Sequence, residues 1–387
     1  MSKKVILLHP SLNAAGGGEQ VALQFIRVFY RNEYEITLYT VEKTNWAILE
    51  DVFMNLQRPD KELYIFSKVP ETHIQFIDSM LMTLVFIALL LYVKYTRREI
   101  QINTCGEKVN SISDIVYVNA IPLRSAYMLE STSFFRKILS RVYGLFICPL
   151  DHVNPRNILI SNSGFNKCLI KKTLNRESNV IYPPIDLKRI AISDCEKGDC
   201  VAVGSRYLPE QGLDIVPILA SRLKGVKFTL IGTASDKSLK LIDDIKRKCG
   251  ELGVSDRVNI LFNQPFSIYC STLSASKVYL RPLPSESFGI SIIEAMAAGC
   301  VPLVRRGSGS WVDILDEQDG KYGFSFDDAD EAILKISKIV TDKAMLEAIQ
   351  DRIRVKLKYF KSMNFDRSII EVLEGASRAQ QECVNQL

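Results

Sequence analysis

Two carboxylates, Glu286 and Glu294, stand with seven residues between them in the run Pro284-Ser285-Glu286-Ser287-Phe288-Gly289-Ile290-Ser291-Ile292-Ile293-Glu294. A helix starting near Gly289 would set them roughly 10 Å apart, too far to share one proton. That separation suits two ends of a polyhydroxylated ligand, with the helix N-terminus turned to a phosphate between them. A plain helix with Glu286 as its capping acid explains the spacing equally well. A second candidate is Arg206, in Gly204-Ser205-Arg206-Tyr207-Leu208-Pro209-Glu210-Gln211-Gly212. A guanidinium in a loop after a strand can neutralise a diphosphate in bidentate fashion. A lone surface Arg is the bland alternative. The third candidate is the segment from His9 through Asn13 to Gly16-Gly17-Gly18-Glu19. Strand, glycine loop and helix start together leave backbone N–H groups open to phosphate. The segment is neither G-x-G-x-x-G nor a P-loop, and a simple turn also accounts for three glycines.

Metal chemistry has little to work with. The histidines, His9, His73 and His152, are far apart, and nine cysteines run from Cys105 to Cys383 without a C-x-x-C pair. Cys195 and Cys200 lie close together but with no histidine nearby. The scatter fits a reducing compartment rather than a disulfide framework.

Strand-like and helical patterns alternate along the whole chain, which predicts an α/β fold built on parallel sheets. Strands are expected at residues 5–8, 36–39, 114–118 and 157–161, with helices at 19–29 and across the apolar 80–93 stretch. Tyr182-Pro183-Pro184 then interrupts the pattern as a linker would. A second series of strands is expected at 200–204, 227–231, 257–261, 277–280 and 301–304, with helices at 240–250 and 291–298. The division is therefore residues 1–180, residues 181–360 and a helical tail over 361–387. With 387 residues, 47% apolar and 24% charged, there is ample material for two packed cores. The net charge of +5, from 49 basic and 44 acidic residues, is too balanced to make nucleic acid the main partner.

One stretch looks towards a membrane. Fourteen uncharged residues begin at Met80 and end at Val93, and Lys94, Arg97 and Arg98 follow. The run is short of the roughly 20 residues a spanning helix needs. It is expected to lie in one leaflet's interface with its basic end at the headgroups, Leu84, Ile87 and Leu91 facing lipid. Arg136, Lys137 and Arg141 are further candidates for that contact. A buried core helix is the competing assignment.

Residues 203–212, the pair Glu286 and Glu294, and Ala297-Ala298-Gly299-Cys300-Val301-Pro302 together resemble the C-terminal domain of retaining family-4 (group 1) glycosyltransferases with the GT-B fold. His9-Pro10, Asn13-Ala14 and Gly16-Gly17-Gly18-Glu19 are similar to the lipid-linked-oligosaccharide α-1,2-mannosyltransferases of the asparagine-glycosylation pathway. So are Asp114-Ile115-Val116-Tyr117, Ser161-Asn162-Ser163 and the segment from Val180 to Asp186. The resemblance implies two Rossmann-like domains facing a cleft, and a hexose, mannose by analogy, moved from a nucleotide sugar such as GDP-mannose to a polyprenyl-linked glycan. On that analogy Glu286 contacts donor-sugar hydroxyls and Glu294 the ribose. The backbone of Phe288, Gly289 and Ile290 faces sugar and diphosphate, Arg206 binds the diphosphate, and Gly16, Gly17 and Gly18 close over it. His9, Asn13 and Asn119 lie on the acceptor side. The family needs no metal, so Arg and helix dipole would carry that role. The implied location is the cytoplasmic face of a cell or ER membrane.

Two departures from the family pattern matter. The second diphosphate cation, a Lys five residues after the Arg, is Gln211 here. A His expected before a Phe-Pro or Tyr-Pro falls on Asn119 or Ala120 in Asn119-Ala120-Ile121-Pro122, depending on whether one counts from the strand or from Pro122. Asn can still bond a hydroxyl and Ala cannot. A degenerate, non-catalytic binding or assembly subunit is therefore the alternative from another class, and a soluble enzyme acting on a small molecule is a third.

Overall fold

The computed structural model describes residues 3–53, 56–70, 75–120, 150, 153–154, 156–190 and 197–385. Pro122, Arg136, Lys137, Arg141, His73, His152 and Cys195 lie outside them. The chain forms two units, residues 1–184 together with 362–387, and residues 185–361.

The first unit contains β1 (Lys3–His9), α1 (Gly17–Arg31), β2 (Tyr34–Glu42), α2 (Trp46–Val52), β3 (Lys61–Phe66), α3 (Gln75–Thr96), β4 (Ile100–Asn103), β5 (Ile115–Val118), β6 (Ile158–Ser161), α4 (Gly164–Leu174) and β7 (Asn179–Val180). Its sheet runs β3-β2-β1-β4-β5-β6-β7, and every pairing is parallel. Val5, Leu7, Ile36, Leu38, Ile102 and Ile115 bury one face under α1, whose Phe25 and Phe29 are fully buried. Both sheet faces are covered, which is why β1 and β5 read as continuous apolar runs, whereas β4 between them carries the buried Gln101 and Asn103.

The second unit contains β8 (Gly198–Gly204), α5 (Val216–Arg222), β9 (Lys227–Gly232), α6 (Leu239–Glu251), β10 (Val258–Phe262), α7 (Phe266–Ala275), β11 (Ser276–Arg281), α8 (Ile290–Ala297), β12 (Val301–Arg305), β13 (Phe324–Phe326), α9 (Ala329–Thr341) and α10 (Lys343–Lys356). Its parallel sheet runs β10-β9-β8-β11-β12-β13. The final helix, α11 (Ser362–Asn385), belongs to the first unit. Phe365 meets Phe25 edge-on at 5.3 Å between ring centroids, and Asp366 accepts from Gln24 Nε2 and pairs with Arg31.

The apolar helix is α3, and it is neither wholly core nor wholly outside. Phe86, Ile87, Leu89, Leu90 and Val93 pack with Ile6, Leu8, Tyr39 and Val41 on the sheet face opposite α1. Leu81, Leu84, Ala88, Tyr92 and Tyr95 form an exposed stripe at helical spacing. The expectation that Ile87 faces lipid is thus corrected: it is 8% exposed and belongs to the core, and Leu91 is partly buried. Lys94 pairs with Asp114 at 2.7 Å and Arg97 donates to the Tyr39 hydroxyl, so both tie the helix end to the sheet. Arg98 is exposed. Ile87→Ser should therefore cost stability, about 2 to 4 kcal/mol from lost burial and a cavity. Urea unfolding of the two proteins measures it, and an unchanged midpoint would contradict the core assignment.

Candidate functional site

In each unit the first strand is the point where the sheet order reverses: β1 lies between β2 and β4, and β8 between β9 and β11. Ligands of open α/β sheets bind outside the carboxyl ends of strands at such a point. Both groups of candidate residues sit there.

In the second unit the two strand ends are joined by Arg281, the last residue of β11. Its Nη1 donates to Gly204 O at 2.9 Å and Ser205 Oγ at 3.2 Å, and its Nε to Glu286 Oε2 at 2.8 Å. Glu286 is therefore not a helix cap. The N-cap of α8 is Gly289, with φ +104° and no side-chain cap, a conformation that favours glycine. The backbone of Glu286 is fixed as well, because Gly309 N donates to its carbonyl at 2.6 Å. A Cβ at Gly309 would collide with Ser287 O, so only glycine lets the chains approach this closely.

Glu294 lies on α8, still partly exposed, and accepts from the Tyr269 hydroxyl at 3.0 Å. Burial raises its pKa above 4.5, against the opposing pull of Tyr269 and Arg189. Tyr269 is pushed well above 10 by burial and by Glu294, so it remains the donor. Because the folded carboxyl holds its proton more tightly than the unfolded one, ionising it costs stability. Wild type should lose stability relative to Glu294→Gln as pH rises from 4.5 through the folded value. Urea unfolding at stepped pH measures this, and parallel profiles would refute it.

Arg206 is exposed, with no side-chain ion pair among the described residues. Gln211 is only 3% exposed, and its Oε1 accepts from Ser205 Oγ at 2.8 Å. The Phe288 side chain is core, edge-on to Phe360 at 5.6 Å between ring centroids. Ile290 opens α8 and is partly exposed.

In the first unit His9 closes β1 and its Nδ1 bonds Thr104 Oγ1 at 2.8 Å, across the point where the order reverses. Its Nε2 stands 3.6 Å from Glu19 Oε1, and the other oxygen of Glu19 accepts from Gly16 N at 2.9 Å. Burial alone would raise the Glu19 carboxyl; His9 and the two backbone N–H groups outweigh it and hold it below 4.5. Asn119 follows β5 directly and donates to Thr104 O at 2.7 Å, and a Cβ at Gly18 would lie 3.8 Å from its Nδ2. His9, Thr104, Asn119 and Gly16 to Gly18 thus come together. Asn13 does not join them: its amide bonds Glu42, the Lys43 carbonyl and Asn45 N beyond the end of β2. Among the described residues no three His, Cys, Asp or Glu side chains form a metal-sized cluster.

Sequence reasoning misses Arg281, Ser205, Tyr269 and Thr104. The one available signal is Arg281 itself, a charge closing the apolar run Val278-Tyr279-Leu280.

Residues 195–356 match the family model described as "Glycosyl transferases group 1". The chain is 25% identical over 276 residues to the human GDP-Man:Man(3)GlcNAc(2)-PP-Dol alpha-1,2-mannosyltransferase, covering 66% of this chain and 56% of that protein. Over 136 residues it is 33% identical to a glycogen synthase of Geotalea uraniireducens, covering 33% and 26% respectively. The chain thus spans about half the length, or less, of these curated relatives. Among solved structures, Anabaena Alr3699/HepE in complex with UDP superposes with a TM-score of 0.72 at 15% identity, covering 96% of this chain and 100% of that one. WaaG, a glycosyltransferase involved in lipopolysaccharide biosynthesis, does so at 0.71 and 12%, covering 95% and 99%. The fold is that of GT-B glycosyltransferases, two Rossmann-like parallel-sheet domains.

Proposed function

We propose that this chain, whose residues 195–356 form a group 1 glycosyltransferase domain, transfers a hexose from a nucleotide sugar to a lipid-linked glycan at a membrane surface. The observation that carries the reading is the ends of β8 and β11, which are neighbours in the sheet: a carboxylate fixed at Glu286, a cation at Arg206 with no ion pair among the described residues, and the N-terminus of α8 with no side-chain cap. A polyol acceptor group, a diphosphate-binding cation and a helix dipole are what a nucleotide sugar requires.

On this reading Glu286 takes hydroxyls of the donor sugar and Glu294, with Tyr269, the ribose. Arg206 and the N–H groups at the start of α8 stabilise the leaving diphosphate, the part a metal ion plays in other enzymes. The departing diphosphate helps remove the acceptor proton, and the sugar keeps its anomeric configuration. His9, Thr104 and Asn119 form the acceptor side. Mannose from GDP-mannose is the donor favoured by the mannosyltransferase relatives.

The membrane part rests on α3. A helix with one face in a protein core and an apolar opposite face lies on a bilayer rather than across it. That position would hold the enzyme over an acceptor that never leaves the membrane.

One observation favours the non-catalytic alternative: Gln211 is uncharged where the family pattern has a Lys, and it is buried with its amide oxygen accepting from Ser205 Oγ. Turnover separates the two. Purified protein, a panel of sugar nucleotides and a short polyprenyl-diphosphate oligosaccharide should give nucleotide release coupled to a longer glycan. No product with any donor would leave the binding-subunit reading standing.

A further inference from the structure

Arg281 is the buried cation that the function above does not use. It spends Nη1 on the end of β8 and Nε on a carboxylate five residues further along its own chain. The arrangement is directional. Ser205 Oγ accepts from Arg281, and its hydroxyl is shared between Gln211 Oε1 at 2.8 Å and the Arg206 carbonyl at 3.0 Å. One chain of bonds therefore runs from Gln211 through Ser205 and Arg281 to Glu286.

A guanidinium is charged at every accessible pH and its donors are rigidly splayed, so two acceptors on different arms are held at a fixed relative angle. Buried pairs of this kind add little net stability, because desolvation offsets the attraction. What the geometry does supply is orientation. Glu286 Oε2 is occupied by Arg281, the Glu286 carbonyl is held by Gly309, and Oε1 has no partner among the described residues. A single carboxylate oxygen is left to accept from a ligand, with its direction fixed from both sides.

We propose that Arg281 is a positioning residue for donor recognition. It locks the Glu286 carboxylate to the β8 loop so that Oε1 is presented to the sugar of a nucleotide sugar. The same guanidinium sits beside Ser205, next to Arg206, so the sugar-reading acid and the diphosphate-binding loop move as one piece. The proposal rests on the reading that Glu286 takes sugar hydroxyls.

Its test compares a sugar nucleotide with the bare nucleoside diphosphate, using GDP-mannose against GDP and UDP-glucose against UDP in calorimetric titrations of the full chain. Arg281→Gln should weaken the preferred sugar nucleotide at least tenfold and its bare diphosphate less than threefold. In a cycle with Glu286→Gln the double variant should bind no worse than Glu286→Gln alone, since Arg281 acts through that carboxylate. Additive losses, or equal losses for sugar nucleotide and diphosphate, would overturn the proposal. If Arg281→Gln does not fold, Ser205→Ala cuts the same chain of bonds and should weaken the sugar nucleotide alone; unchanged binding there overturns it too. Wild-type protein that shows no preference for either sugar nucleotide over its diphosphate removes both this proposal and the role given to Glu286. A wild-type preference that survives in Arg281→Gln removes only the proposal.

Discussion

Glu286→Gln is expected to lower kcat/KM for sugar transfer by about 10² to 10³-fold. Gln keeps the shape of the side chain and an oxygen for Arg281, but loses the charge. Two charge-assisted hydrogen bonds to sugar hydroxyls, each weakened by about 1.5 to 2 kcal/mol, give a loss of that size. Stability should fall too, because the guanidinium of Arg281 loses its only carboxylate among the described residues; breaking a buried pair costs up to about 3 to 5 kcal/mol. The side chains here are 12% and 15% exposed, so water recovers part of that penalty. Activity must accordingly be read well below the variant's unfolding midpoint, with circular dichroism confirming the folded state. Turnover within threefold of wild type would show that Glu286 is a structural partner of Arg281 and nothing more.

The pair also shows where sequence and structure part. Glu286, Gly289 and Glu294 are legible because their relation is local: a helix start and a fixed number of residues. Arg281 is not, because its role depends on β8 and β11 being neighbours in the sheet, and no spacing along the chain reports that adjacency. Gln211 is visible as a departure from a motif, yet its burial under Ser205 is a tertiary fact. β1, β5 and β8 declare themselves by apolar runs, whereas β3, Lys-Glu-Leu-Tyr-Ile-Phe at the sheet edge, and β4, Ile-Gln-Ile-Asn at its centre, carry polar residues and give no such signal. Asn13 and Asn119 look alike in sequence. One is spent on bonds beyond the end of β2, and the other stands beside Thr104 and the glycine loop.

The apolar helix is the sharpest case. Uniform composition hides which side is core, since leucine and isoleucine serve sheet and lipid equally well. The exposed stripe defines the experiment that residue types alone misdirect. Replacing Leu81, Leu84 and Tyr92 together with Ser should release the protein from anionic vesicles, lowering its partition coefficient by about 10²-fold. These side chains are 38%, 37% and 55% exposed, so only part of each is left to enter a bilayer, about 1 kcal/mol apiece out of the 1.5 to 3 for complete burial. None belongs to the buried cluster under α3, so thermal unfolding should shift by no more than a few degrees. Ile87→Ser gives the contrast, with lowered stability and, while folded, little change in vesicle binding. Cosedimentation of the triple variant equal to that of wild type would remove α3 as the membrane contact and leave a helix that is half core and half plain surface.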